Sequence, residues 1–271
     1  MTTSGHALRW DAGSARWWWS DPDAAAVHAW SAERNATLTC RLPDGAGLLA
    51  HCRSGRLLLG LPKRLCVADT PPVGRLTQHL RMRPLTAVDA AEPRTGISDG
   101  RVDRRGFLVF GTANLGEDRR PIGSFYQYSR QRGLRRLALP AVAQASSICF
   151  SVDGKRMYFA DAWRGQILCC DYDAEQARIG AIRVFASLDV SGVPRGAIVD
   201  SADSLWSAQA GRLVQYDEQG RELGRIALDC RTPAFGGAQL TQLMATGADG
   251  LVEVPGTFAR GQPEILFDDQ E

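Results

Sequence analysis

The 271-residue chain has no Cys-x-x-Cys pair, although it has seven cysteines. A thiolate zinc site therefore has no support. Seven is odd, so at least one thiol is unpaired, and most lie in apolar, strand-like runs such as SSICFS and ILCCDY. Buried free thiols fit a reducing cytoplasm. No apolar run reaches the roughly 18 residues of a membrane span, and MTTSGHALRWDAG lacks the basic and apolar regions of a secretory signal. Charge of either sign is not in excess: 32 basic residues face 30 acidic ones, for a net +2. That balance speaks against nucleic acid or an anionic membrane as partner. Helical periodicity is scarce; DAAAVHAWSAERN is helical in composition, but its strand-like flanks favour a strand. Absent too are GxSxG, a P-loop, and a GxGxxG between strand and helix, which removes serine hydrolases, NTPases and Rossmann enzymes.

What is present is a repeated cassette: turn with Gly or Asp, alternating apolar strand, turn, second strand. Copies are SGRLLLGLPKRLCVAD, DRRGFLVFGTAN, DGKRMYFADAWRGQILCCDYD and SADSLWSAQAGRLVQYDEQG. With ARWWWSDPDAAAVHAW before them and QLTQLMATG–GLVEVPG after, six units fit at about 45 residues each, a blade-like period. No linker rich in Pro, Gly or Ser interrupts them. The expected fold is all-β, a single six-bladed β-propeller domain spanning residues 1–271. Strand alternation puts Trp17 and Trp19 on one face and Trp18 on the other, for packing between blades. His28, His51 and His79 have no ligand spacing.

Four segments carry a resemblance. SDGRVDRRGFLVFGTAN (98–114), SSICFSVDGKRMYFADAW (146–163), PRGAIVDSADSLWSAQAGRLVQYDEQG (194–220) and RTPAFGGAQLTQLMATGA (231–248) are similar to motifs of the senescence-marker/gluconolactonase/regucalcin family. The resemblance implies a six-bladed propeller that opens small sugar lactones with a divalent metal. That metal would be held by a Glu, an Asn and an Asp from three blades at the channel mouth. Its metal positions map here to His6, Ser146 and Arg195. A guanidinium neither ligates a cation nor acts as a base near neutral pH, and a hydroxyl is a poorer ligand than an amide carbonyl. Two substrate-binding positions of the family become Gly96 and Ser98, whereas turn residues such as Asp99, Asp103, Asp153 and Asp200 are kept.

The expectation is therefore a divergent member with no cofactor, whose metal site has lost its ligands. His6, Ser98, Asp99, Ser146 and Arg195 would bind a small polar or anionic molecule, such as a sugar acid or lactone. Two alternatives stand beside it. One is an active carboxylic-ester hydrolase of the sugar lactonase type with a rearranged site, its catalytic candidates Arg195 and Asp200. The other is a non-catalytic interaction scaffold. Arg195 needs a counter-charge or water, and Asp99, Asp161 and Asp200 are the expected partners.

Overall fold

The computed structural model describes residues 5–71, 79–189, 193–248 and 250–270. Six antiparallel sheets form a ring, and no helix occurs among the described residues. Blade one is β1 (His6–Asp11), β2 (Arg16–Asp21), β3 (Ala26–Ser31) and β4 (Ala36–Arg41). Blade two is β5 (Leu48–His51), β6 (Leu57–Leu61), β7 (Arg64–Ala68) and β8 (Met82–Ala87). Blade three is β9 (Thr95–Val102), β10 (Leu108–Asn114), β11 (Phe125–Ser129) and β12 (Gly133–Arg136). Blade four is β13 (Ala145–Phe150), β14 (Arg156–Asp161), β15 (Gln166–Asp173) and β16 (Arg178–Ser187). Blade five is β17 (Gly196–Val199), β18 (Leu205–Gln209), β19 (Arg212–Tyr216) and β20 (Glu222–Ala227). Blade six is β21 (Pro233–Gly236), β22 (Gln242–Gly247) and β23 (Gly250–Glu253). The fold is a six-bladed β-propeller. The Ala-rich segment is strand β3, because its alternating residues pair with β2 and β4.

The first strand of every blade packs beside its neighbours', so β1, β5, β9, β13, β17 and β21 surround the axis. The ring closes between blades six and one, where the Thr246 hydroxyl donates to the Gly5 carbonyl at 2.7 Å. The apolar cores lie between blades. Trp17 and Trp19 pack towards β17, β18 and β21, and Trp18 packs the other way into blade two. All seven cysteines are free and buried. No helix of the described residues is long and apolar enough to cross a membrane.

The cassette's turns share one device. The Oδ1 of Asp103 accepts from the Arg105 and Phe107 amides, and Gly106 adopts φ +92°. Asp217 does the same for Gln219 and Arg221, with Gly220 at φ +83°. Asp200 does it for Ala202 and Ser204, with Asp203 at φ +62°. A short carboxylate satisfies turn amides that would otherwise need water, and the fourth residue takes the left-handed conformation that closes the turn.

Candidate functional site

The inner strands enter at one end of the ring, and their entries line a cavity of about 330 Å³. His6 opens β1, Ser98 and Asp99 lie in β9, and Ser146 is the second residue of β13. Arg195 precedes β17, and Arg231 and Thr232 precede β21. Trp163, half exposed in the β14–β15 turn, borders the cavity, and the Arg119 guanidinium stacks 3.6 Å above its ring.

Local backbone irregularity aims several of these side chains inward. The β1–β2 register shifts between His6 and Arg9, and the β13–β14 register between Ser146 and Cys149. The β9–β10 pairing skips Ser98. A bulge inserts one unpaired residue and rotates what precedes it away from the pleat. Ala7 (φ 50°) and Ser147 (φ 60°) supply the left-handed residue beside His6 and Ser146. A side chain there costs about 1–2 kcal/mol, so the bulge geometry is kept against local preference.

The chemistry of the lining is specific. The Ser146 hydroxyl donates to the Pro194 carbonyl at 2.8 Å, and the Ser98 hydroxyl to the Ala145 carbonyl at 2.9 Å. With their protons committed, both oxygens retain lone pairs that can accept from a ligand. Asp99 is half-buried, and its carboxylate accepts from the Gly100 and Ile148 amides at 2.8 and 2.9 Å. Burial pushes Asp99 above the ordinary carboxylate range, opposed by the Ile148 amide and the nearby Arg9 and Arg101 guanidiniums.

His6 is lowered to about 4, first by burial and then by the positive charge of Arg231. Near pH 7 it is a neutral imidazole and a weak base. A histidine depressed in the folded state stabilises fully above its unfolded pKa of 6.5. That contribution is lost as pH falls towards 4. The stability difference between the unmodified chain and a His6→Gln variant should shrink by about 2–3 kcal/mol between pH 7 and 4. Denaturant melts across that range measure it, and parallel profiles would refute the assignment. Comparison with the variant cancels the opposite slope contributed by Asp99.

Two expectations need correction. The carboxylate that pairs with Arg195 is Asp229, at 2.6 Å, and not Asp99, Asp161 or Asp200. Asp229 lies in the loop between β20 and β21, and its side chain is 69% exposed. An exposed partner at the rim contributes little, so the guanidinium, 28% exposed, stays accessible to a ligand. Asp200, considered as a catalytic carboxylate, does not line the cavity. It follows β17 at the far end, about 16 Å of extended chain from Arg195. Its Oδ2 accepts from the Trp206 indole at 2.9 Å, which completes a buried turn. Asp161 is likewise spent on backbone amides, those of Ala143, Gln144 and Trp163.

Sequence motifs did not single out Arg231. It opens a motif whose Gly and Phe residues drew attention, yet it enters β21 as Arg195 enters β17. That equivalence between blades was the available signal. Arg231 has no ion-pair partner among the described residues.

The donor set does not fit a divalent metal. His6, Ser146 and Arg195 line the cavity with a neutral imidazole, a hydroxyl and a guanidinium, and Arg231 adds a second positive charge. Among the described residues no group of three His, Cys, Asp or Glu side chains could hold a metal ion. Hard cations need several oxygen ligands, and Asp99 alone supplies a carboxylate here.

Ring and mouth cavity together define a six-bladed propeller with a small cavity at one end of its axis. The family model described as SMP-30/Gluconolactonase/LRE-like region matches residues 4–249. The chain belongs to that family. It is 34% identical over 239 residues to an L-arabinolactonase of Azospirillum brasilense, covering 86% of this chain and 76% of that protein. It is 27% identical to a 6-deoxy-6-sulfogluconolactonase of Pseudomonas putida, over 85% of this chain and 78% of the relative. A solved luciferin-regenerating enzyme shares the fold at TM-score 0.91 and 19% identity, covering 98% of this chain and 96% of that one.

Proposed function

We propose that this propeller, taken as one domain over residues 1–271, binds a small sugar acid at the channel mouth without metal-dependent lactone hydrolysis. The observation that carries the reading is the pair of guanidiniums, Arg195 and Arg231, lining one cavity with the oxygens of Ser98, Ser146 and Asp99. Guanidinium forks match a carboxylate. Ser98, Ser146 and Asp99 offer acceptors to ligand hydroxyls. At about 330 Å³ the cavity is at the small end for ligand sites. Relatives named for sugar lactones, one of them carrying a sulfonate, support the class of ligand.

A second reading is favoured by one observation: among the described residues Asp99, raised by burial, is the one carboxylate lining the cavity. In an active hydrolase it would take a proton from water as the water oxygen bonds to the lactone carbonyl carbon. Arg195 or Arg231 would receive the oxyanion. The ring C–O bond would then break, its oxygen taking the proton back from Asp99. This route uses no metal, so a chelator would leave it intact.

Calorimetric titration separates binding from its absence. Sodium D-gluconate should bind more tightly than about millimolar, and the neutral polyol D-sorbitol at least about tenfold more weakly, the value of one charged hydrogen bond. Calcium, magnesium, manganese and zinc should show no site tighter than about millimolar. Equal affinity for gluconate and sorbitol would refute the anion reading. Micromolar cation binding lost in His6→Ala would refute the loss of the metal site.

A further inference from the structure

One wall of the mouth cavity is apolar and takes no part in holding a carboxylate. Trp163 stands there in the β14–β15 turn, with Ala162 beside it in sequence and Val193 ahead of β17. Trp163 and Val193 are large apolar side chains, yet both stay partly open to water. Ligand cavities commonly keep such a wall for the apolar part of what they bind.

Two contacts hold Trp163 in place. Its amide donates to Asp161 Oδ1 at 3.1 Å. The same carboxylate accepts from the Ala143 and Gln144 amides, so one buried group ties the turn to the entry of blade four. The Arg119 guanidinium, from the loop between β10 and β11, lies 3.6 Å from the centroid of the indole. That is stacking distance for a cation on an aromatic face. Arg119 forms no ion pair among the described residues, so its charge is committed to the ring. Trp163 lines the cavity and Arg119 does not. The covered face of the indole is therefore turned outward, and the free face is left to the cavity.

Arg195 and Arg231 enter blades five and six, whereas Trp163 belongs to blade four. In a cavity of about 330 Å³, a ligand whose carboxylate meets the guanidiniums brings its other end to the indole. An open-chain sugar acid carries a hydroxyl on every other carbon and has no flat apolar face. Pressing those hydroxyls against an indole without hydrogen bonds is costly. A pyranose ring with equatorial hydroxyls presents only axial C–H groups on each face, and it covers an aromatic surface without that cost.

We propose that Trp163 is a specificity residue of the mouth: its free face stacks on the C–H face of a cyclic sugar acid, a pyranuronate, while Arg119 positions the indole from outside. The inference rests on the sugar-acid reading of the cavity and names the form of the ligand.

The test is calorimetric titration of the full chain with sodium D-glucuronate, a pyranose ring, and sodium D-gluconate, an open chain. Glucuronate should bind at least about fivefold more tightly, from the apolar surface that ring and indole cover. Trp163→Ala should cost glucuronate at least about fivefold more than gluconate, which brings the ratio of affinities near one. Trp163→Phe keeps a flat face and should keep part of the preference. Arg119→Ala should lower the preference about two- to fivefold, and Arg119→Lys, which still presents a cation to the ring, should restore it. Indole emission gives a second readout: glucuronate should shift it in the unmodified chain and not in Trp163→Phe. Equal affinity for the two acids, or an unchanged ratio in Trp163→Ala, would overturn this inference and leave the anion reading of the mouth standing. Binding of neither acid would remove that reading and the inference with it.

Discussion

Replacing both Arg195 and Arg231 by alanine is expected to weaken gluconate binding about 100- to 10,000-fold while leaving the melting temperature within about 2 °C. Each guanidinium–carboxylate contact in a partly enclosed site is worth about 1.5–3 kcal/mol. Neither side chain supports the core: Arg195 reaches a rim carboxylate, and Arg231 has no ion pair among the described residues. The single variants should divide the effect unequally. Asp229 already occupies part of the Arg195 fork, so Arg231→Ala should cost the larger share. Arg195→Lys should recover charge but not the fork, and so only part of the affinity. Calorimetry with gluconate and sorbitol reads these outcomes. If the double variant bound gluconate as tightly as the unmodified chain, the anion would have to be held elsewhere.

Asp200→Ala should have the opposite profile, unfolding the protein early while sparing the cavity. The carboxylate is 2% exposed and accepts from two turn amides and the Trp206 indole. Removing it leaves three donors without an acceptor, two of them buried, at a cost of about 3–5 kcal/mol. For a chain of this size that is about 10 °C in melting temperature. Below the melting range, gluconate affinity should stay within about twofold, because Asp200 lies at the far end of β17. Asp200→Asn should recover the two turn amides but face the indole N–H with an amide or a rotated oxygen, giving an intermediate loss. A collapse of affinity with intact stability would return Asp200 to the ligand site.

The propeller was legible because its information is local. Asp103, Asp153, Asp200 and Asp217 mark turns within a few residues of themselves, and the Trp17–Trp19 run shows its two faces by alternation. The convergence of His6, Ser146 and Arg195 on one cavity was also legible, since flanking motifs place each of them at the entry of an inner strand. Three features were not. The bulges beside His6 and Ser146 are closed by Ala7 and Ser147, where a glycine would have signalled a left-handed residue. The Asp229 partner of Arg195 lies 34 residues on, in the loop that leaves blade five, so the pairing depended on how that loop returns to the mouth rather than on a local motif. The segment beyond blade six has no alternating pattern. It forms no strand among the described residues, and its position depends on side chains from blades two and three and on backbone groups of blade five.

The most direct test of the central claim is lactone opening by the unmodified chain, with L-arabinono-1,4-lactone and D-glucono-1,5-lactone as substrates. It should be followed by proton release with added manganese or calcium and again with a chelator. A sugar-acid site without a metal predicts the spontaneous rate in both conditions, with gluconate still bound. Opening far above that rate, abolished by the chelator and restored by the metal, would contradict it.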